Sequence, residues 1–270
     1  FASAKADRIE IYPPALKEKA KKGELKAKAN TLLFMGCVPS YLDMKMVPSL
    51  LKPLDAAGVD YTTLGADEGC CGFPLFLMGS DDFEDRARRL VEQIRATGAR
   101  ELVTPCAGCY KTFKKIYPEV MGNLGFEVYH SVHYIEKLLK EGKIKFKGNG
   151  KQKVTYHDPC DLGRAFQIFE EPRNILKAIP GLEYAEMARN RLQARCCGGG
   201  GGVSANIPEM AVDMAAERVR DALAVGAEVI VSGCAACKDN LRKGAKAIPK
   251  DERGKITVMD ITELVASSIE

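Results

Sequence analysis

Short apolar runs alternate with longer amphipathic segments along most of this chain. The run 31–35 has the length of a strand and stops at Gly36, and 101–104 is a second such run. Between them, apolar residues recur at helical spacing, with Asp81 as the expected cap and Gly98 as the expected end. The predicted apolar face of this helix consists of Phe83, Ala87, Leu90, Val91 and Ile94. Strands that alternate with helices are typical of α/β proteins with parallel sheets and right-handed crossovers.

The alternation continues through the chain and is duplicated. The other predicted elements are helices near 15–28, 46–57 and 132–140, strands near 61–64 and 126–129 and from Val154, and a strand and helix over 256–265. A shift of 128 positions sets Ala87 on Ala215, Val91 on Val219, Gly98 on Gly226, Ala99 on Ala227, Leu102 on Ile230, Val103 on Val231 and Cys106 on Cys234. A whole helix–Gly–strand unit is therefore repeated.

The repeat predicts two tandem, pseudo-symmetric α/β domains, each with a small parallel sheet flanked by helices. We expect an N-terminal extension over 1–30, a first domain over 31–148 and a second over 149–270, with 147–151 as the linker. A chain of 270 residues with 46% apolar composition is long enough to bury two cores. Because it begins with Phe1 instead of Met, we expect it to be processed or truncated, with sequence missing upstream.

Composition excludes several classes of function. The 40 basic and 36 acidic residues nearly balance, and no basic patch is interleaved with aromatic residues, so we expect no nucleic-acid partner. No window holds the roughly 18 consecutive apolar residues of a membrane span. We therefore expect a cytoplasmic protein, or one held at the cytoplasmic face of the membrane through partner subunits. No G-x-G-x-x-G lies between a strand and a helix, so no nicotinamide or flavin site is predicted.

All ten cysteines fall into one pattern that occurs twice. The spacings are C-x32-CCG-x33-C-x2-C and C-x35-CCG-x35-C-x2-C. The first copy comprises Cys37, Cys70, Cys71, Cys106 and Cys109, and the second comprises Cys160, Cys196, Cys197, Cys234 and Cys237. Cys37 and Cys106 follow predicted strands, and ligands of open α/β sheets bind at the carboxyl ends of the strands.

Five thiols per copy indicate a bound metal centre. The chain is too long and too rich in ordinary core residues to need disulfide staples, and a thioredoxin-like role for each CxxC would leave the CCG pairs unexplained. A structural zinc site takes four ligands, whereas adjacent cysteines can ligate different metals of one cluster. Soft thiolates select iron–sulfur clusters as well as zinc, and five of them fit a cluster of unusual shape better than a zinc site. A zinc-stapled scaffold remains an alternative.

Glycines and histidines accompany the cysteines. Gly72 and Gly198 allow the backbone to approach the cluster and to aim amides at it. The run 198–202 is either a flexible loop or the bare wall of a ligand pocket, and it is not a P-loop because no Lys-Ser or Lys-Thr closes it. His157 lies three residues before Cys160, where it can hydrogen-bond a cluster sulfur. For His130 and His133 we favour packing over catalysis, and Lys111 and Lys238 are not assigned as proton donors.

The duplicated motif resembles the CCG-domain proteins, typified by the catalytic B subunit of heterodisulfide reductase and the matching half of its D subunit. The resemblance covers about 31–270. The segment 156–164, Tyr-His-Asp-Pro-Cys-Asp-Leu-Gly-Arg, looks like the family's segment around its leading cysteine, which often has His where Asp161 stands. The resemblance implies that each copy holds one noncubane [4Fe–4S] cluster through its five cysteines. Both copies are intact, which favours the disulfide-reducing branch of the family.

That resemblance implies a function and partners. The expected reaction is the reduction of a small disulfide, such as CoM-S-S-CoB, to two thiols by two clusters that each supply one electron. We predict no catalytic residue beyond the cluster ligands. No C-x2-C-x2-C-x3-C-P ferredoxin motif is present, so electrons are expected from a ferredoxin-like iron–sulfur subunit or a missing N-terminal ferredoxin segment. A flavin or cytochrome b subunit is a further candidate partner. The alternative is an iron–sulfur electron-transfer subunit of a respiratory oxidoreductase complex, without disulfide chemistry.

Overall fold

The computed structural model describes residues 13–148 and 150–269. Residues 1–12 of the predicted extension, Asn149 of the predicted linker, and Glu270 lie outside the described residues. Contacts divide the chain into two compact units, the first ending at Tyr134 and the second starting at Ile135. The domain limits drawn from the sequence stay predictions.

The first unit is built on a four-stranded parallel sheet in the order β2-β1-β3-β4. Its strands are β1 (Thr31–Leu33), β2 (Tyr61–Thr62), β3 (Glu101–Thr104) and β4 (Glu127–His130). Its helices are α1 (Pro14–Lys21), α2 (Met46–Ala56), α3 (Phe73–Leu77), α4 (Asp82–Ala96), α5 (Ala107–Lys111) and α6 (Tyr117–Met121), with π-helical turns at Val38–Leu42 and Thr112–Ile116. The predicted apolar face of α4 is buried along its whole length.

The second unit repeats this topology. Its four strands are parallel in the order β6-β5-β7-β8. They are β5 (Gln152–His157), β6 (Leu182–Tyr184), β7 (Val229–Ser232) and β8 (Thr257–Asp260). Helix α7 (Ser131–Lys140) contains the boundary between the two units. The helices that follow it are α8 (Gly163–Phe166), α9 (Glu170–Ala178), α10 (Val203–Asn206), α11 (Pro208–Ala224), α12 (Ala235–Ala247), α13 (Lys250–Arg253) and α14 (Ile261–Ser268). The prediction of two α/β units with small parallel sheets is therefore confirmed.

Two local predictions were wrong. Asp81 does not cap α4, because its own backbone is already helical. Ser80 does so instead, since its hydroxyl accepts from the Asp82 amide at 3.3 Å and its carbonyl accepts from the Phe83 amide at 3.1 Å. The helix predicted over 15–28 ends at Lys21, because Gly23 adopts a φ of +71° and turns the chain out of the helix.

Across 13–148 and 150–269, no helix combines the length and apolar character required to cross a membrane.

Candidate metal centres

The first five cysteines meet at the carboxyl edge of the first sheet. Cys37 follows β1 and begins the π-helical turn 38–42, and Cys106 follows β3 and begins α5, whose first turn carries Cys109. Cys70 and Cys71 lie in the loop that precedes α3, where Gly72 has a φ of +79°. Parallel strands end at one edge of a sheet, so three separate parts of the sequence deliver sulfur atoms to one place.

The sulfurs of this first set are in mutual contact. The Sγ atoms of Cys71 and Cys109 are 3.4 Å apart, and the Gly72 amide donates to Cys70 Sγ at 3.4 Å. A hydrogen bond from Cys37, with a second from Cys71, lowers the pKa of the Cys70 thiol to about 3. The same hydrogen bond, together with burial, raises the pKa of Cys37. Hydrogen bonds to Cys106 and Cys71 raise the pKa of Cys109 in the same way.

The loop that carries Cys70 and Cys71 is held by side chains from the neighbouring helices. Arg86 on α4 donates from Nε and Nη2 to the Cys70 carbonyl, at 3.0 and 2.8 Å. Tyr117 on α6 donates from Oη to the Cys71 carbonyl at 2.8 Å. These bonds fix the backbone, so the two adjacent sulfurs keep their directions.

Glu68 is a buried carboxyl beside the first set that the sequence analysis missed. Its Oε1 accepts from the Gly36 amide at 2.8 Å, and Oε2 has no partner among the described residues. Burial raises the pKa of Glu68 to about 8. Gly36, the residue before Cys37, is thereby tied to the loop that contains Cys70. The only sequence signal was a glutamate two positions before the CCG motif.

The second five cysteines are arranged in the same way around the second sheet. Cys197 and Cys237 Sγ atoms are 3.1 Å apart, and Cys160 interacts electrostatically with Cys196. Hydrogen bonding to Cys197 and Cys234 raises the pKa of Cys237. Hydrogen bonds from Cys196, Cys237 and His157 hold the pKa of Cys197 well below its ordinary value.

The glycine run 198–202 is explained in part by close packing. A Cβ on Gly198 would lie 2.6 Å from the Ala211 carbonyl oxygen, and one on Gly199 would lie 2.6 Å from that of Ala236. The amides of these two glycines donate to Cys196 and Cys197 Sγ, at 3.3 and 3.4 Å. The first two glycines thus pack their backbone against the sulfurs, whereas an added Cβ on Gly200 or Gly201 would meet no atom of the described residues within 4 Å.

The histidines separate into two kinds. A ring nitrogen of His157 and the Sγ atoms of Cys197 and Cys237 all lie within 4.8 Å of one another, and all three residues are buried. His157 therefore lies beside cysteine sulfur, and a hydrogen bond from its ring to a cluster stays a prediction. His130 and His133 instead pack around the ring of Tyr110, with ring centroids 5.9 and 5.8 Å away.

A buried charge network supports the segment that leads to Cys160. Arg173 on α9 donates to both carboxylate oxygens of Asp158, at 2.8 and 3.0 Å, and to both oxygens of Glu186, each at 2.8 Å. The Arg191 amide also donates to Asp158 Oδ2, at 2.8 Å. The sequence analysis missed this network because its members are spread over 158–191 without a repeating pattern.

The donor set fits a metal cluster. All ten cysteines are free thiols, and five sulfurs at one place cannot all ionise unless a cation compensates their charge. Backbone amides already donate to Cys70, Cys196 and Cys197, as expected around thiolate ligands. The cysteines of each predicted set therefore already lie together, as the binding of a metal cluster would require.

Several known proteins are similar to this chain. The D subunit of the dihydromethanophenazine:CoB–CoM heterodisulfide reductase of Methanosarcina acetivorans is 40% identical over 97% of this chain and 63% of its own length. The probable iron–sulfur-binding oxidoreductase FadF of Bacillus subtilis is 34% identical over 95% of this chain and 36% of its own length. The EtfAB:quinone oxidoreductase of Syntrophomonas wolfei is 32% identical over 88% of this chain and 34% of its own length. This chain thus spans less than two thirds of each of these relatives.

The family model of the CCG cysteine-rich domain matches this chain twice, over 31–114 and over 154–242. Each match contains one complete set of five cysteines and the ends of the two strands that precede its leading cysteine and its CxxC pair. Together the matches cover more than half of the sequence. The chain therefore belongs to the CCG cysteine-rich domain family and carries two copies of that domain.

Proposed function

We propose that this chain is an iron–sulfur subunit of a larger oxidoreductase complex, and that it reduces a small disulfide to two thiols. Each set of five cysteines holds one noncubane [4Fe–4S] cluster: Cys37, Cys70, Cys71, Cys106 and Cys109 in the first unit, and Cys160, Cys196, Cys197, Cys234 and Cys237 in the second. The observation that carries the proposal is the convergence of five thiols at the carboxyl edge of each parallel sheet.

The reaction consumes two electrons and two protons, breaks one S–S bond and forms two S–H bonds. When bound, each cluster supplies one electron at a time, so two clusters match a two-electron substrate. The protein's own residues supply position and electrostatics. Glycine amides donate to the sulfurs, and Asn240 holds the second CCG loop by donating to the carbonyls of Cys197 and Ala211, at 2.5 and 2.8 Å. Arg86 and Tyr117 hold the first loop in the same way.

The relatives support both the proposal and its competitor. Similarity to the D subunit of a CoB–CoM heterodisulfide reductase favours a heterodisulfide of the CoM-S-S-CoB type as the substrate. Similarity to an EtfAB:quinone oxidoreductase favours the alternative, an electron-transfer subunit that binds no disulfide. Both hypotheses include partner subunits, and we propose a ferredoxin-like donor and a location at the cytoplasmic side.

Electron paramagnetic resonance of the oxidised, anaerobically purified chain, together with iron, zinc and labile-sulfide analysis, tests the proposal. We expect iron and sulfide for two clusters, and a signal that changes when coenzyme M is added, because substrate sulfur then reaches the centre. A cluster signal indifferent to thiols would favour the electron-transfer subunit. Stoichiometric zinc without labile sulfide would show a structural scaffold instead.

A further inference from the structure

The two units place different residues at one equivalent position beside the sulfurs. Thr31 on β1 lies opposite Glu101, and Val154 on β5 lies opposite Val229, which is the counterpart of Glu101 in the repeat. In both units the leading cysteine follows six residues later. Phe34 lies three residues after Thr31, and His157 lies three residues after Val154. Phe34 in the first unit is therefore at the position equivalent to His157 in the second. Both side chains are buried.

A second difference accompanies the first. Arg218 on α11 is fully buried, and its Nε donates to His157 Nδ1 at 3.1 Å. Its Nη1 donates to the Arg189 carbonyl at 2.6 Å and to Asp221 Oδ2 at 3.2 Å. In the first unit, the shift of 128 positions sets Leu90 at the position of Arg218. The histidine and the arginine that holds it thus occur together in the second unit, and apolar residues occupy both equivalent positions in the first unit.

Arg218 determines which nitrogen of His157 carries the proton. A guanidinium group only donates hydrogen bonds, so Nδ1 must be an acceptor and the proton of the neutral ring resides on Nε2. A protonated Nε2 cannot ligate a metal, although it can donate a hydrogen bond to sulfur. Cys197 and Cys237 are the sulfurs beside this ring.

We propose that His157, held in its Nε2–H tautomer by Arg218, donates a hydrogen bond to the sulfur of Cys197 or Cys237 and makes the second cluster easier to reduce than the first. This inference rests on the proposed function, because it requires a cluster in each unit. Donors to ligand sulfur stabilise the extra negative charge of the reduced cluster, and the first unit has an apolar ring at the same position. An electron entering the chain therefore settles preferentially on the second cluster.

A redox titration of the loaded chain, followed by electron paramagnetic resonance, tests the inference with reciprocal substitutions. In His157→Phe, we expect the reduced-to-oxidised ratio of the second cluster at a fixed potential to fall about ten-fold, which is about 59 mV for a one-electron couple. In Phe34→His/Leu90→Arg, we expect the reduction potential of the first cluster to rise, because the substitutions introduce the donor that His157→Phe removes from the second unit. His133→Phe is the matched control, because that histidine packs on Tyr110, and it should leave the second cluster unchanged.

Arg218→Leu tests the positioning role separately. We expect the reduction potential of the second cluster to fall, as in His157→Phe. We also expect ¹⁵N magnetic resonance of labelled histidine to report a changed tautomer for His157. If His157→Phe loses its second cluster, His157→Gln keeps a donor of similar reach and should retain a potential close to that of the unaltered chain.

The possible failures are distinguishable. Absence of any cluster in the unaltered chain would contradict the proposed function. If the chain holds two clusters and neither His157→Phe nor Arg218→Leu changes their potentials, this inference is wrong and the proposed function still stands. A ¹⁵N hyperfine coupling of the size seen for a metal-bound imidazole would also overturn it, because His157 would then be a ligand.

Discussion

Gly36 brings the backbone of the first unit into close contact with a sulfur atom. Its φ of +77° lies in the left-handed region, and an added Cβ would lie 3.0 Å from Cys109 Sγ. We expect Gly36→Ala to lose at least about 1 kcal/mol of unfolding free energy from backbone strain, and to displace Cys109 as well. Any iron bound by the first unit should then be lost, which iron analysis measures, and denaturant unfolding measures the loss of stability.

Gly58→Ala is the matched control for that substitution. Gly58 has a φ of +63°, and no atom of the residues that the structure describes lies within 4 Å of an added Cβ. It carries the same type of backbone strain without the contact to sulfur, so its iron content should stay at the value of the unaltered chain. Equal iron content in both variants would show that the close approach at Gly36 does not position Cys109.

Asp260 gives the second unit a predictable dependence of stability on pH. Burial raises its pKa from 3.8 to about 7, although Oδ1 accepts from the amide and the hydroxyl of Thr262. Between these two values the unfolded chain has released the proton and the folded chain has kept it. The group's contribution is therefore complete below pH 3.8 and is lost as the pH rises towards about 7.

Asp260→Asn should flatten that dependence, because asparagine keeps the acceptor for Thr262 and removes the titrating proton. We expect a smaller fall in unfolding free energy between pH 4 and about 7, measured by urea unfolding across this range. Asp239→Asn, at an exposed carboxylate on α12, is the control and should follow the unaltered chain. Parallel curves for Asp260→Asn and the unaltered chain would contradict the prediction.

Residues were predictable where their chemistry repeats, and were missed where a partner is distant in sequence. The grouping of the ten cysteines into two sets was predictable because cysteine recurs at two nearly equal spacings. Arg218 was missed because its significance depends on His157, 61 positions away, and nothing in the sequence marks it as buried. Glu68 was missed for the same reason, since its hydrogen bond to Gly36 spans 32 positions.

At the scale of elements, α9 is tied to the end of β5 by one arginine. Arg173 is fully buried and pairs with Asp158, whose side chain is 1% exposed, and with Glu186. Arg173→Met would leave the buried carboxylate of Asp158 without its main partner, which costs about 3–5 kcal/mol in comparable cases. We expect a loss of that order in urea unfolding, because the carboxylate is removed from water and cannot be resolvated.

Arg220→Met provides a comparison on α11. Arg220 pairs with Glu217 and Glu252, and the three side chains are roughly half exposed. Exposed ion pairs contribute about 0–1 kcal/mol, so this variant should be nearly as stable as the unaltered chain. A similar loss for both arginines would mean that burial does not determine the strength of the Arg173 network.

Elements were predicted well where apolar periodicity is strong and less well at their ends. The pattern identified α4 and its buried face, since five apolar residues at helical spacing lie on one side of a helix and can be buried together there. It placed the cap one residue too late, at Asp81, because serine and aspartate are both good caps and adjacent candidates compete. The strands β1 and β2 are shorter than the segments 31–35 and 61–64 in which they were predicted.

At the scale of the whole molecule, the duplication extends from the sequence to the sheet order. Each unit has four parallel strands in an equivalent order, and each presents five cysteines at one sheet edge. The topology followed from the repeat, because right-handed β–α–β connections allow few arrangements of four short parallel strands. The differences between the units, at Phe34 and His157 or at Leu90 and Arg218, did not follow from it. Matching cysteines reveal what two copies share, and only the three-dimensional contacts reveal how their surroundings differ.

The duplication leads to a prediction that distinguishes disulfide reduction from electron transfer. Cys71→Ser and Cys197→Ser each remove a buried cysteine from one unit, while the other unit keeps its own sheet and its own five cysteines. We expect each variant to contain about half of the iron and labile sulfide of the unaltered chain. If two one-electron centres must act on one disulfide, each variant should lose disulfide reduction almost completely rather than by half. Turnover is measured in the assembled complex with a heterodisulfide and a reduced electron donor. Unchanged turnover in either variant would contradict disulfide reduction at paired clusters, since one centre would then be dispensable.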